Sequence, residues 1–240
     1  MNFYTIRKGR ALPTAVRVLF SFLLMVGMLL LPMASSADEG HPTVILDAGH
    51  GGEDGGAVGV GGVKEKDLNL SITLQLASLL REAGVKVILT REDDRLLYTA
   101  EENVKGRRKE YDLKNRLAVA KDNPEALFIS IHMNTFQSPK YAGLQVYYAR
   151  TEGSRALAES IQGTVREQLQ PENTRKVHVT TSSIYLLDKA IGRAVLIECG
   201  FLSNAAECDR LTQKDYQDRL CFSLFCGIMK YIKAEEGDPS

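Results

Sequence analysis

The chain has 240 residues, enough for one sizeable domain with its own core and little more. Lysine plus arginine and aspartate plus glutamate each total 30, so the formal net charge is zero. That balance argues against general nucleic-acid binding, which leaves a basic excess or patch, and the absence of tryptophan gives stacked-aromatic recognition of single strands or sugars weak support.

The amino terminus reads as a targeting segment over residues 1–37. Arg7, Lys8, Arg10 and Arg17 precede an apolar run from Val18 to Ala34, and Ser35-Ser36-Ala37 offers a small-residue cleavage site. The run lies between a signal-peptide core and a span of about 20 apolar residues. A cleaved signal is the expectation and an uncleaved anchor the alternative. Either places residues 38–240 outside the cytoplasmic membrane, with membrane contact only through this segment.

Thr43–Asp47 has the continuous apolar character of a buried parallel strand. It stops at Ala48-Gly49-His50, and a glycine-rich loop follows. Asp67 is expected to cap a helix whose stripe is Leu68, Ile72, Leu76, Leu79, Leu80 and Ala83, with Gly84 ending it. Val85–Thr90 is a second strand, which makes a βαβ unit. Arg91 to Asp112 is highly charged, with Lys105, Arg107, Arg108 and Lys109 clustered, and reads as an exposed insertion. Loops of this kind beyond strand ends often carry function. Asp112 is expected to cap a helix over Leu113, Leu117 and Ala120.

Ala126–Ile131 is a third strand that ends at His132, and Gly143–Ala149 a fourth. A helix over 154–169 carries Leu157, Ile161, Val165 and Leu169 on one face. Residues 171–183 form a polar connection, Ile184–Leu187 a short strand, and Val195–Cys199 a firm one containing Glu198. A last amphipathic helix covers about 215–234. The pattern predicts an α/β fold: a single domain built on a mostly parallel twisted sheet of about five to six strands, with helices on both faces. Cys199, Cys208, Cys221 and Cys226 fit neither a small disulfide framework nor a zinc ribbon, and mostly free buried thiols are expected, with one disulfide as the alternative.

In a parallel sheet the strand ends gather on one edge, so His50, His132 and Glu198 converge there. Two histidines and a carboxylate are the ligand set of a catalytic zinc site, whereas His41 and His178 read as structural. Among Asp47, Glu53, Asp54, Glu65, Asp67 and Glu198, Asp67 reads as a cap, and Glu53 and Asp54 as loop-solvated. Asp47 reads as a group that orients a ligand. Glu65 and Glu198 both stay open as the third ligand. A phosphate-binding reading of the glycine loop fails, because no lysine-serine/threonine pair follows.

The stretches DAGHGGEDGGAVG, KEKDLNL, VILTRED, LFISIHMN and VLIECGFLSN, in this order and spacing, resemble the zinc-dependent N-acetylmuramoyl-L-alanine amidases over about 43–232. The resemblance implies one zinc ion bound by His50, Glu65 and His132, with Glu198 as catalytic acid/base. It makes residues 38–240 an amidase catalytic domain that hydrolyses the amide between the muramic lactyl group and L-alanine in peptidoglycan. Arg91 and Arg116 match recurrent family positions as structural or substrate-orienting groups. Met133, Thr135 and Cys199 depart from the common pattern without removing a ligand. The charged segment 102–116, YAGLQVYY and SIYLLDKA resemble the spore-cortex, germination-specific subgroup. That implies action at the cell wall, in a spore former at the forespore cortex, with a regulatory protein as a candidate partner and no nucleic acid. Two rival readings on the same scaffold are a catalytically silent peptidoglycan-binding module and a zinc exopeptidase.

Overall fold

Val44–Ala48 forms β1, every residue of it buried, in a computed structural model that describes residues 42–237. The expected targeting segment and His41 lie outside the described residues. The strands that follow are β2 (Val87–Leu89), β3 (Leu127–Asn134), β4 (Gln145–Tyr148), β5 (His178–Val179) and β6 (Ala194–Phe201). They make one sheet in the order β2-β1-β3-β6-β4-β5. Neighbours run parallel except β4 with β6, which are antiparallel. β1, β3 and β6 occupy the middle, where their continuous apolar runs are covered on both sides.

Helices cover both faces. On one lie α1 (Glu65–Glu82), α3 (Ser154–Gln168), α5 (Ala205–Thr212) and α6 (Lys214–Glu235). Ile72, Leu76 and Leu80 of α1, Leu157, Ile161 and Val165 of α3, and Leu220, Leu224 and Ile228 of α6 are fully buried against Leu46, Ile129 and Ile197. At about 1.5–3 kcal/mol for each buried side chain, these stripes dominate the stability of that layer. On the other face α2 (Arg108–Lys121) and the single-turn α4 (Tyr185–Asp188) pack Leu117, Leu186 and Leu187 on Ile45, Phe128 and Leu196. No described helix is long and apolar enough to cross a membrane.

Several elements differ from the sequence expectation. α1 begins at Glu65, so Asp67 is no cap; it lies exposed in the first turn, where its charge favours the positive helix end. α2 begins at Arg108, and Asp112 is a buried residue inside it. Ile184–Leu187 is not a strand: Tyr185–Asp188 makes a helical turn, because a four-residue apolar run has no period to choose between the two. The polar connection hides β5. α5 is an element without a counterpart in the sequence reading, although Asn204, whose side chain accepts from the N–H groups of Ala206 and Glu207, stands at capping-box spacing from Glu207. Cys199, Cys208 and Cys221 are buried, Cys226 partly so, and all four are free thiols.

The pairing of β3 with β6 is irregular at one step. His132 pairs with Glu198, but Asn134 pairs with Phe201, so β6 carries one extra residue over this interval. A bulge of this kind re-aims side chains beside a site. Cys199 joins the core on the α1 side, while Phe201 returns to the face of Glu198 although three positions separate them.

Candidate active site

β1 delivers His50 through a turn that no ordinary strand end would make. His50 is the one non-glycine residue with positive φ (62°) among the described residues, a conformation uncommon outside glycine. Two buried arginines hold it there. Arg116 donates to the carbonyls of Ala48 (2.7 Å) and His50 (2.7 Å), and Arg91 donates to those of Ala48 (2.9 Å), Gly49 (3.1 Å) and Lys66 (2.9 Å). Both guanidinium groups are about 1% exposed. The expectation of an exposed segment from Arg91 to Asp112 therefore fails at its two ends, each of which is buried.

The charge of Arg116 is balanced by Asp47 (2.6 Å) and Asp112 (2.9 Å). Burial opposes the ionised form of Asp47, but Arg116, Ser130, His132 and Thr90 outweigh it and hold the carboxyl below its ordinary range. Burial also works against the charge of Arg116, and its two carboxylates overcome that and raise its pKa. Asp47 thus makes no hydrogen bond to a histidine, and its hold on His50 is indirect, through Arg116. The direct contact falls to Asp54, whose Oδ2 lies 2.9 Å from His50 Nδ1 and also receives Lys109 at 3.0 Å. Neither Asp54 nor Glu53 is merely solvated, since Glu53 pairs with Arg108 at 2.7 Å.

The structure brings together the three residues named as ligands. Glu65, the first residue of α1, turns inward and is 4% exposed. Its Oε1 lies 3.3 Å from His50 Nε2 and 2.9 Å from His132 Nδ1, and it accepts the Met133 N–H at 3.1 Å. Its Oε2 accepts the Ala57 N–H at 2.8 Å. The two imidazoles stand edge to face with centroids 5.0 Å apart. One donor atom from each of His50, Glu65 and His132 lies within 4.8 Å of the others, a group that could hold a metal ion. Burial raises the Glu65 pKa, but hydrogen bonds and charge from His132 and His50 drive it far below the usual range. Burial likewise disfavours His50 as a cation, and Glu65 and Asp54 outweigh that and raise its pKa.

Glycine is needed at two places. A Cβ at Gly49 would overlap the His132 ring. At Gly56, with φ of +65°, it would lie 2.6 Å from Glu65 Oε2 and 2.8 Å from His50 Cδ2. Both glycines leave room for the donors to converge.

Glu198 lies beside this group, paired in register with His132 on β3 and with Gln145 on β4. Its Oε2 is buried and has no hydrogen-bond partner. Burial pushes its carboxyl up to about 7; the neighbouring His132 and His50 oppose this, and the negative charge of Glu65 adds to it. A carboxyl whose pKa is near neutral can take and return a proton. The donor set has the chemistry of a catalytic zinc site, two imidazoles and a carboxylate, and the unpartnered Oε2 leaves a fourth group free to meet water or substrate. His178 is exposed on β5, beside Tyr147, and is not among the converging donors. Sequence reasoning set Asp54 aside as loop-solvated, although its place four residues after His50 was the available signal, and gave no weight to Arg175, which borders the site beside Gln145.

Comparison with known proteins places residues 44–230 in a match to the family described as N-acetylmuramoyl-L-alanine amidase. A germination-specific N-acetylmuramoyl-L-alanine amidase of Bacillus subtilis is 41% identical over 199 residues, covering 82% of this chain and 81% of that protein. The CwlD amidase of Clostridioides difficile, solved in complex with the GerS lipoprotein, is 42% identical with a TM-score of 0.76, covering 80% of this chain and 99% of that one. The catalytic domain of the CwlV amidase from Bacillus (Paenibacillus) polymyxa is 31% identical with a TM-score of 0.67, over 80% of this chain and 98% of that one.

Proposed function

The chain belongs to the N-acetylmuramoyl-L-alanine amidase family, and on that premise we propose that His50, Glu65 and His132 hold one zinc ion while Glu198 moves the proton. The reaction is hydrolysis of the amide between the lactyl group of N-acetylmuramic acid and L-alanine of the peptidoglycan stem peptide. The observation that carries this assignment is the convergence of three metal-binding donors within 4.8 Å beside a carboxyl oxygen with no partner. When bound, zinc would polarise the scissile carbonyl and acidify water.

The chain's own residues do the rest. Glu198 Oε2 takes the proton of the attacking water and returns it to the departing alanine nitrogen, so one carboxyl serves as base and then acid. Burial suits it to both parts, because a carboxyl with pKa near 7 is ionised often enough to accept and acidic enough to donate. Asp54 on His50 Nδ1 fixes that ring, leaving Nε2 turned toward Glu65. The arginine clamp on the Ala48, Gly49 and His50 carbonyls keeps the loop in place. The likeness to a germination-specific enzyme supports action on spore cortex after export, with peptide removal preparing muramic acid for lactam closure. The CwlD amidase, seen with a lipoprotein, supports a protein partner for this chain as well.

Incubation of the purified protein with zinc and peptidoglycan, followed by mass analysis, tests the reading. Intact stem peptides are expected; single amino acids would point to an exopeptidase, and no release to a binding module. Glu198→Gln is expected to abolish turnover and keep the metal, whereas His50→Ala and His132→Ala lose both. Loss of zinc from Glu198→Gln as readily as from the histidine variants would overturn the division of roles.

A further inference from the structure

We infer that Arg175 is a specificity-determining residue, which receives a carboxylate of the stem peptide close to the bond that is cut. The inference rests on the amidase reading of the neighbouring site. Arg175 precedes β5 and is half-buried. Its guanidinium lies over the Phe201 ring at 4.5 Å from the centroid and near Tyr141 at 5.7 Å. Nε donates to the Ala142 carbonyl at 2.8 Å and Nη1 to Gln145 Oε1 at 2.9 Å. These partners are neutral, and among the described residues Arg175 has no carboxylate partner and Nη2 no acceptor. Arginine is the side chain best suited to grip a carboxylate through two parallel N–H bonds, and aromatic stacking with fixed neutral acceptors preorganises it for that.

Position relative to the chemistry follows from the sheet. Gln145 is the direct cross-strand partner of Glu198, and such partners share a face. His132, Glu198 and Gln145 therefore stand side by side on β3, β6 and β4, and Gln145 carries Arg175 outward from them. Strands are about 4.8 Å apart, and one residue of extended peptide spans about 3.5 Å. The guanidinium is thus one strand and one 2.9 Å hydrogen bond from the row that carries Glu198, a span that a few residues of extended peptide cover. It borders a pocket of about 260 Å³ that also takes in Tyr141, Gln145, Tyr147 and Phe201, and its lining carries one charge, that of Arg175.

Glu172 and Glu207 line a second cavity that Arg175 also borders, and neither carboxylate pairs with it. Glu207 accepts the N–H groups of Gly143 (2.9 Å) and Phe201 (2.8 Å) and pairs with Arg210 at 3.8 Å. Arg175 thus stands without a carboxylate partner where it borders the pocket shared with Gln145, the neighbour of Glu198. The lactyl carboxyl of muramic acid is consumed in the scissile amide, so a free carboxylate that reaches Arg175 must belong to the peptide. The acidic residue next after L-alanine lies within the required reach.

The test uses the full chain loaded with zinc and two synthetic N-acetylmuramoyl tripeptides, identical except that the α-carboxyl of the second residue is free in one and amidated in the other. The wild type is expected to favour the free acid by about 10-fold or more in kcat/KM, the size of one charge-assisted contact. Arg175→Gln should bring the ratio to about one, and Arg175→Lys, which keeps the charge without the fork, should leave an intermediate ratio. A wild-type ratio near one, or a ratio unchanged in Arg175→Gln, overturns the inference while the amidase reading stands. If Arg175→Gln fails to fold, a wild-type ratio retained by Arg175→Lys overturns it, because loss of the fork must weaken the discrimination. Cleavage of neither substrate by the wild type overturns the amidase reading, and this inference with it.

Discussion

At the scale of single residues, Asp47 touches no proposed ligand and yet fixes the position of one. Fully buried, it accepts from Thr90 (2.8 Å), Ser130 (2.6 Å) and Arg116 (2.6 Å). Arg116 in turn grips the His50 carbonyl. Asp47→Asn leaves a buried cation short of one counter-charge, for which about 3–5 kcal/mol of destabilisation is expected at neutral pH. The sign of its pH dependence follows from the depressed pKa: the contribution is complete above the ordinary aspartate value of 3.8 and is lost as pH falls through the lower folded value. Urea unfolding of wild type and variant should therefore differ fully at pH 5–7 and converge below about pH 4. A gap that stays constant down to pH 3 would show that the charge of Asp47 is not what stabilises the fold. The sequence displayed Asp47 clearly beside the glycine loop, but its partner lies 69 positions away, and periodicity carries no information about contacts at that separation.

At the scale of elements, the strands were readable where they are long and buried, as β1, β3 and β6 are. They failed to show where two or four residues had to decide, as at β5 and α4. The two histidines were visible as chemistry at strand ends. Glu65 was not separable from Glu198 by pattern, since an inward carboxylate on a helix's first turn looks the same in sequence as an exposed one. The five ordered motifs supplied that distinction. Element geometry also fixes what Gly49 can be. A methyl group there would displace the His132 ring, so Gly49→Ala is expected to lower zinc affinity about 10–100-fold, the usual cost of disturbing a ligand's support, with the far-UV circular dichroism kept. Unchanged affinity in a metal titration would show that the ring can move aside without cost.

At the scale of the molecule, the two hydrophobic layers on opposite sheet faces do not depend on the donor group at the sheet edge. A zinc ion held there would therefore add stability only through its binding equilibrium, about 3–4 kcal/mol at a hundred to a thousand times the dissociation constant. Chelation is expected to end hydrolysis and lower Tm by several degrees while cooperative unfolding persists. Loss of the folded baseline on chelation at room temperature would instead make the metal a structural one. Across the whole sheet, the extra residue in β6 acts like a dislocation in a crystal row. Upstream of it β3 and β6 march in step, and downstream they are one count out of phase, so that Phe201 comes back beneath Arg175 on the working face. Loops of this fold can lengthen freely, but the interval from Glu198 to Phe201 behaves as a fixed gear ratio. Adding one more residue there would turn the aromatic seat of Arg175 to the opposite side of the sheet, whereas removing Cys199 or Gly200 would restore the regular count and keep Phe201 on the face of Glu198.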